Sequence, residues 1–177
     1  MNHWRLEPPT TAHPEIATML ATMIDGTREW VEELEDITDE FLTWRPYPGG
    51  YCAGGLLMHM ISCDRLWIDK GILNQTPDPT DPAMIYDELD SQSGGTWPDP
   101  PAESWDWYWA LFQKHRAKTI EQLSQIEDPS KVVGSNGKSD YSLAWIVAHL
   151  VQHDSYHGGQ IVMLNQMWKK SKPISTW

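Results

Sequence analysis

No apolar run in this 177-residue chain approaches the eighteen or more residues that span a bilayer, so a transmembrane helix is excluded. The start, Met1-Asn2-His3-Trp4-Arg5-Leu6-Glu7-Pro8-Pro9, has no basic stretch followed by an apolar one and does not read as a secretion signal, which points to a cytoplasmic protein. Cysteine is scarce. Cys52 and Cys63 are the only two, and a chain of this length in a reducing compartment needs no disulfide to hold its core. Base is short as well: thirteen Lys and Arg against twenty-five Asp and Glu leave a net charge of −12, which repels phosphate backbones, so nucleic acid is not an expected partner. The one basic cluster, Lys169-Lys170-Ser171-Lys172, is short and reads as a helix end whose cations sit favourably against the helix dipole. Repeats and long low-complexity tracts are also missing, which leaves one domain over residues 1–177 as the expected organisation.

What the chain does carry is helical periodicity. Ile16, Met19, Leu20, Met23, Ile24, Trp30, Val31 and Leu34 share a helical phase, with Pro14 suited to the first turn, and predict helix 1 over about 14–36. The segment Thr43-Trp44-Arg45-Pro46-Tyr47-Pro48-Gly49-Gly50 breaks it. Leu56, Met60, Cys63 and Trp67 then mark helix 2 over about 53–73, with His59 on the flank of the stripe. Residues 74–102, rich in Pro, Asp, Ser and Gly, form a connection long enough to return along the length of a bundle, so helices 2 and 3 can lie parallel; Met84 to Leu89 suit a short helix within it. Helix 3 is expected over about 103–126 with Trp105, Tyr108, Phe112, Thr119, Leu123 and Ile126 inward, and helix 4 over about 142–170 after the turn-rich run from Gly134 to Asp140. Trp107 falls outside the inward face of helix 3 and would lie under the crossover or against a second subunit. Gly158 and Gly159 interrupt helix 4 at a cost of about 1 kcal/mol each relative to alanine, which asks for a close approach to that backbone or for room at a site. The fold class is all-α, a four-helix bundle.

The chemistry sits in the last helix. His149, His153 and His157 are spaced by four, and a four-residue step turns about 40° and rises about 6 Å, so two neighbouring imidazoles can converge on one ion while the backbone stays helical. Ile146, Leu150, His153, His157, Ile161, Leu164 and Trp168 share one phase, which places both later histidines on the apolar stripe. A lone histidine there is ordinarily a neutral, hydrogen-bonded core residue. Two of them, with His59 on the inward side of helix 2, make a metal site the sharper reading, although spacing alone fits His149/His153 as well as His153/His157. Cys63, four residues after His59, shares its face; its ordinary reading is a small buried hydrophobe, and it also stands as a cavity candidate.

In its Trp44-Arg45-Pro46 segment, Leu56-Leu57-Met58-His59 with Asp64 and Trp67 following, the long crossover, and the terminal His149-x-x-x-His153-x-x-x-His157-Gly158-Gly159-Gln160-Ile161, the chain resembles the DinB-like superfamily of metal-binding four-helix bundles over nearly its whole length. The resemblance implies an up-down-down-up bundle with one divalent ion, commonly nickel or zinc, held by His59, His153 and His157; it is the family motif that selects the second helical pair. His149 is then a cavity residue or an ordinary packed histidine. Gly158 departs from the pattern, because the family often has arginine there.

Three neutral imidazoles leave at least one position for water or substrate, the arrangement of a catalytic site. Gln160, three residues past His157, and Asp64 are candidates to orient a ligand ring or a bound water, an ordinary polar role being the alternative for each. Some relatives are thiol transferases or isomerases that use low-molecular-weight thiols, so the resemblance extends to a metal-dependent enzyme, a thiol-dependent S-transferase or a hydrolase, acting on a small-molecule substrate. Relatives are often dimers, which puts a homodimer among the expected assemblies. The competing reading is a non-catalytic bundle that binds a ligand or protein partner around a structural ion.

Overall fold

The computed structural model describes residues 5–76, 78, 80–82, 98–135 and 139–171. Helix α1 spans Pro14–Glu32, opened by His13, whose Nδ1 accepts from the Glu15 amide at 3.3 Å, and by Pro14, whose fixed φ suits the first turn. It stops short of the expected Asp36. Asp36 adopts φ 50°, a left-handed conformation that no helix continues through. The Glu35 backbone is bonded away from the helix, its N–H donating to Asn165 Oδ1 at 3.2 Å and its carbonyl accepting from Asn165 Nδ2 at 3.0 Å. A short helix α2, Asp39–Thr43, follows, with the Thr38 hydroxyl accepting from the Phe41 amide and with Phe41 and Leu42 fully buried. It was not foreseen, since five residues are too few to display a period.

Helix α3, Ala53–Arg65, runs on as a π-helical stretch over Leu66–Ile72 and ends before Asn74 at φ 51°. Helix α4 spans Trp105–Ser124, capped by Ser104, which accepts from the Trp107 amide at 3.3 Å. The run read from sequence as turn-rich contributes to a two-stranded antiparallel hairpin, β1 at Val132–Ser135 and β2 at Asp140–Ser142, which leads straight into α5 at Leu143–Ser171. The short helix expected at Met84 to Leu89 lies outside the described residues.

Side-chain pairs fix the helix directions. Thr27 meets Asp154 and Glu35 meets Lys169, so α1 and α5 are parallel. His59 stands beside His153 and His157 while Trp67 stands beside Trp145 and His149, so α3 runs against α5. The backbone at Gly54 abuts Tyr108 and Asp64 meets Thr119, so α3 and α4 run the same way, as the long crossover permits. The bundle is therefore up-down-down-up.

Its apolar interior is split. One cluster gathers Trp30, Phe41, Leu56, Leu57, Phe112, Ile161 and Leu164; the other gathers Ile16, Leu20, Cys63, Leu123, Ile146 and Leu150. On α4 and α5 the polar residues Arg116, His153 and Asp154 fall between members of the two clusters, and on α3 the change from one cluster to the other, between Ile61 and Cys63, has His59 on one side and Asp64 on the other. Trp107 does not stand apart from the core: it is half-buried against the first cluster, edge-on to Tyr108 at 5.0 Å. Trp105 and Trp109 stack one turn apart, which is how α4 accommodates three tryptophans in five residues.

Candidate metal centre

His59 comes from the middle of α3, and His153 and His157 from successive turns of α5. The antiparallel approach of these two helices brings the rings together: His59 Nε2 and His153 Nε2 are 3.1 Å apart, and the His157 ring centroid lies 4.9 Å from that of His59 and 4.4 Å from that of His153. One ring nitrogen from each lies within 4.8 Å of the others, a grouping of potential metal ligands that among the described residues is found only here. Nitrogens held at about 2.0–2.1 Å around a tetrahedral ion stand about 3.3 Å from one another, so the spacing fits a divalent cation with small adjustments of the rings.

The donor chemistry fits too. Gln160 Oε1 can only accept, so the 2.7 Å contact from His157 Nδ1 puts the proton on Nδ1 and leaves Nε2 with a free lone pair. Burial, followed by the neighbouring His157, His59 and His149 and then Arg116, pushes His153 down to about 2. Burial also lowers His157, with Gln160 and Asp154 opposing it. Both imidazoles are thus neutral at neutral pH, the form that binds a metal.

The other candidates are placed differently. His149 is packed among aromatics, stacked on Trp145 at 5.1 Å and edge-on to Trp67 at 5.3 Å, with its ring centroid 5.9 Å from that of His153. Cys63 is buried in the second apolar cluster. Asp64 turns towards α4, accepting from the Thr119 hydroxyl at 3.1 Å beside Arg116. Gln160, by contrast, bonds a ring of the trio.

A model of the DinB family matches residues 10–175. The chain belongs to the DinB family. No curated protein matches it. Against the family pattern, Gly158 now has a physical reason: a Cβ there would overlap the Trp30 indole, which is packed against this turn of α5. A side chain at 158 would start towards α1 rather than towards the histidines. Gly159 has open space around it and meets no such approach.

Sequence reasoning missed a buried ionic lattice next to the trio. Arg116 Nη2 donates to Asp154 Oδ1 at 2.6 Å, and its Nε stands 3.5 Å from Asp64 Oδ2. Asp154 Oδ2 accepts from Thr27 at 2.9 Å and from the Trp30 indole N–H at 3.4 Å. The lattice joins all four long helices. Its signal was present: Arg116 lies on the inward stripe of α4, four after Phe112 and three before Thr119, where a cation needs a buried partner.

Proposed function

We propose that this DinB-family protein is a metal-dependent enzyme in which His59, His153 and His157 hold one divalent ion, nickel or zinc, with a face left for substrate. The observation that supports it is the composition of the cluster: three imidazoles from two helices, with no carboxylate or thiol among them. Three ligands and an open position are the pattern of catalytic sites, whereas a structural ion is enclosed by four. When bound, such an ion supplies Lewis acidity, with no anionic ligand to offset its charge, and so favours the deprotonated form of a water or thiol brought to it.

The chain's own residues supply the setting. Gln160 fixes the tautomer of His157. The half-buried rings exclude much of the bulk water, which strengthens any charge interaction at the site. Arg116, bonded to Asp154 beside His153, fastens that stretch of α5 to α4. In keeping with relatives that use low-molecular-weight thiols, the favoured reaction is transfer of a thiol sulfur to a small electrophile. The protein is further proposed to act in the cytoplasm on a small-molecule substrate, without nucleic acid, and to assemble as a homodimer.

The test is elemental analysis of the purified protein followed by thermal melting with and without chelator, then a panel of thiols and electrophiles. One equivalent of nickel or zinc, a metal-free form that still folds, and thiol consumption dependent on the ion are the expected results. Collapse of the helices on chelation would replace catalysis with scaffolding.

A further inference from the structure

One turn along the α3/α5 seam from the histidines lies a surface cavity of about 170 Å³. Leu56 and Leu164 form its buried floor, and Tyr47, Met163 and Met167 its exposed rim. None of its eight lining residues is charged, and Gln160, the residue that bonds His157, forms part of the wall. The sequence puts it beside the candidate ion from both helices: Leu56 is three residues before His59, and Gln160 is three after His157. One helical turn is about 5.4 Å, the length of a few covalent bonds.

We infer that this cavity seats a compact, uncharged apolar group of the substrate, a single six-membered ring or a short branched alkyl, and so selects neutral electrophiles over anionic ones. This rests on the reading of the trio as a catalytic metal site. Size sets the class: an apolar cavity of about 150 Å³ holds one benzene ring, so the space here accepts one ring and not two. Chemistry sets the exclusion. A carboxylate placed among Leu56, Leu164 and the methionines would lose water with no cation in the lining to pair with, and the chain's charge of −12 opposes its approach. The position where relatives often carry arginine is Gly158, which faces Trp30, so no cation is supplied from there. Methionine on the rim adds tolerance of shape, since its unbranched thioether refits to different apolar partners.

The experiment uses full-length protein with ¹³C-methyl-labelled methionine, in metal-free, zinc and nickel forms, titrated with toluene and, separately, with benzoate. Toluene is expected to shift the Met163 and Met167 methyl signals saturably in all forms, with benzoate weaker by about tenfold or more in the metal-free form, where no ion takes its carboxylate. Met163→Trp, which fills the mouth from an exposed position, is expected to abolish the shift while the circular dichroism spectrum is retained. In the nickel form, the paramagnetic ion is expected to accelerate relaxation of toluene protons relative to zinc. No saturable shift, a shift that survives Met163→Trp, equal binding of benzoate to the metal-free form, or unchanged relaxation in protein carrying stoichiometric nickel would each overturn the inference. Failure of nickel to bind at all, read by elemental analysis, would instead sink the metal site and this inference with it.

Discussion

Two polar clusters sit side by side in the bundle, and they differ in whether each holds charges of both signs. The Asp64–Arg116–Asp154 lattice is nearly sealed, with Asp154 1 % exposed and Arg116 7 % exposed, and its members bond to Thr119, Thr27 and Trp30. Its charges are of opposite sign and answer one another. The histidine trio is half-buried, its members are of one kind, and burial drives His153 and His157 to the neutral state. Three like rings turned towards one point can share a proton among them but bring no opposite charge to the meeting place. A cluster whose opposite charges pair within it ties elements together; a cluster of like rings that could hold an ion has the makings of a binding site.

That contrast predicts opposite consequences for one substitution on each side. Arg116→Met strips the cation from between two buried carboxylates and is expected to cost about 3–5 kcal/mol of folding stability, measured by urea unfolding with chelator present. His157→Ala is expected to remove stoichiometric nickel or zinc binding while changing metal-free stability by only about 1 kcal/mol, as for a partly exposed site. If the arginine variant were as stable as the parent, or the histidine variant kept its ion, the division between fastening and binding would break.

The helical pattern made the four rods and the direction of the crossover legible, because apolar stripes repeat over enough turns to show a phase. Helix ends were less so: Asp36 follows a run of good helix formers, Glu32 to Glu35, and only its left-handed backbone and the bond of Glu35 to Asn165, 130 residues away, keep α1 from running on. The hairpin before α5 and the five-residue α2 are too short for periodicity. At the site, spacing left two histidine pairs on α5 equivalent, and the fold separates them. His149 lies a turn nearer the hairpin end, where Trp67 and Trp145 enclose it, whereas His157 lies on the turn that faces His59. Asp64 looked like a ligand-orienting group because it shares a helix with His59, but five residues on an α-helix turn about 500°, which carries it round to the α4 side.

A finer test of the contrast concerns Gln160, which ties the His157 ring to the wall of the apolar cavity. Gln160→Leu keeps the volume and removes the acceptor for His157 Nδ1, freeing the ring to rotate or change tautomer. Loss of such a partner is expected to weaken metal affinity by about 10–100-fold, with little change in metal-free stability, read by competition against a chromophoric chelator. An unchanged affinity would mean that packing alone orients the ring.

The smallest expected effect comes from a histidine on the ionic side. His115 is 3 % exposed and its Nε2 lies 3.2 Å from Asp81 Oδ2, in a lattice where Arg65 and Lys118 also bond Asp69. Burial lowers its pKa below the ordinary 6.5; Asp81 opposes the shift, while Arg65, Lys114 and Lys118 add to it. The folded state therefore refuses a proton that the unfolded chain accepts, so the stability it contributes is complete above 6.5 and is lost as the pH falls below that value. One such group changes stability by at most about 1.4 kcal/mol per pH unit. In the metal-free His157→Ala background, His115→Gln should flatten the stability profile below pH 6.5; a profile that keeps its slope would assign the acid sensitivity to the remaining members of the trio and put His115 on the other side of the comparison.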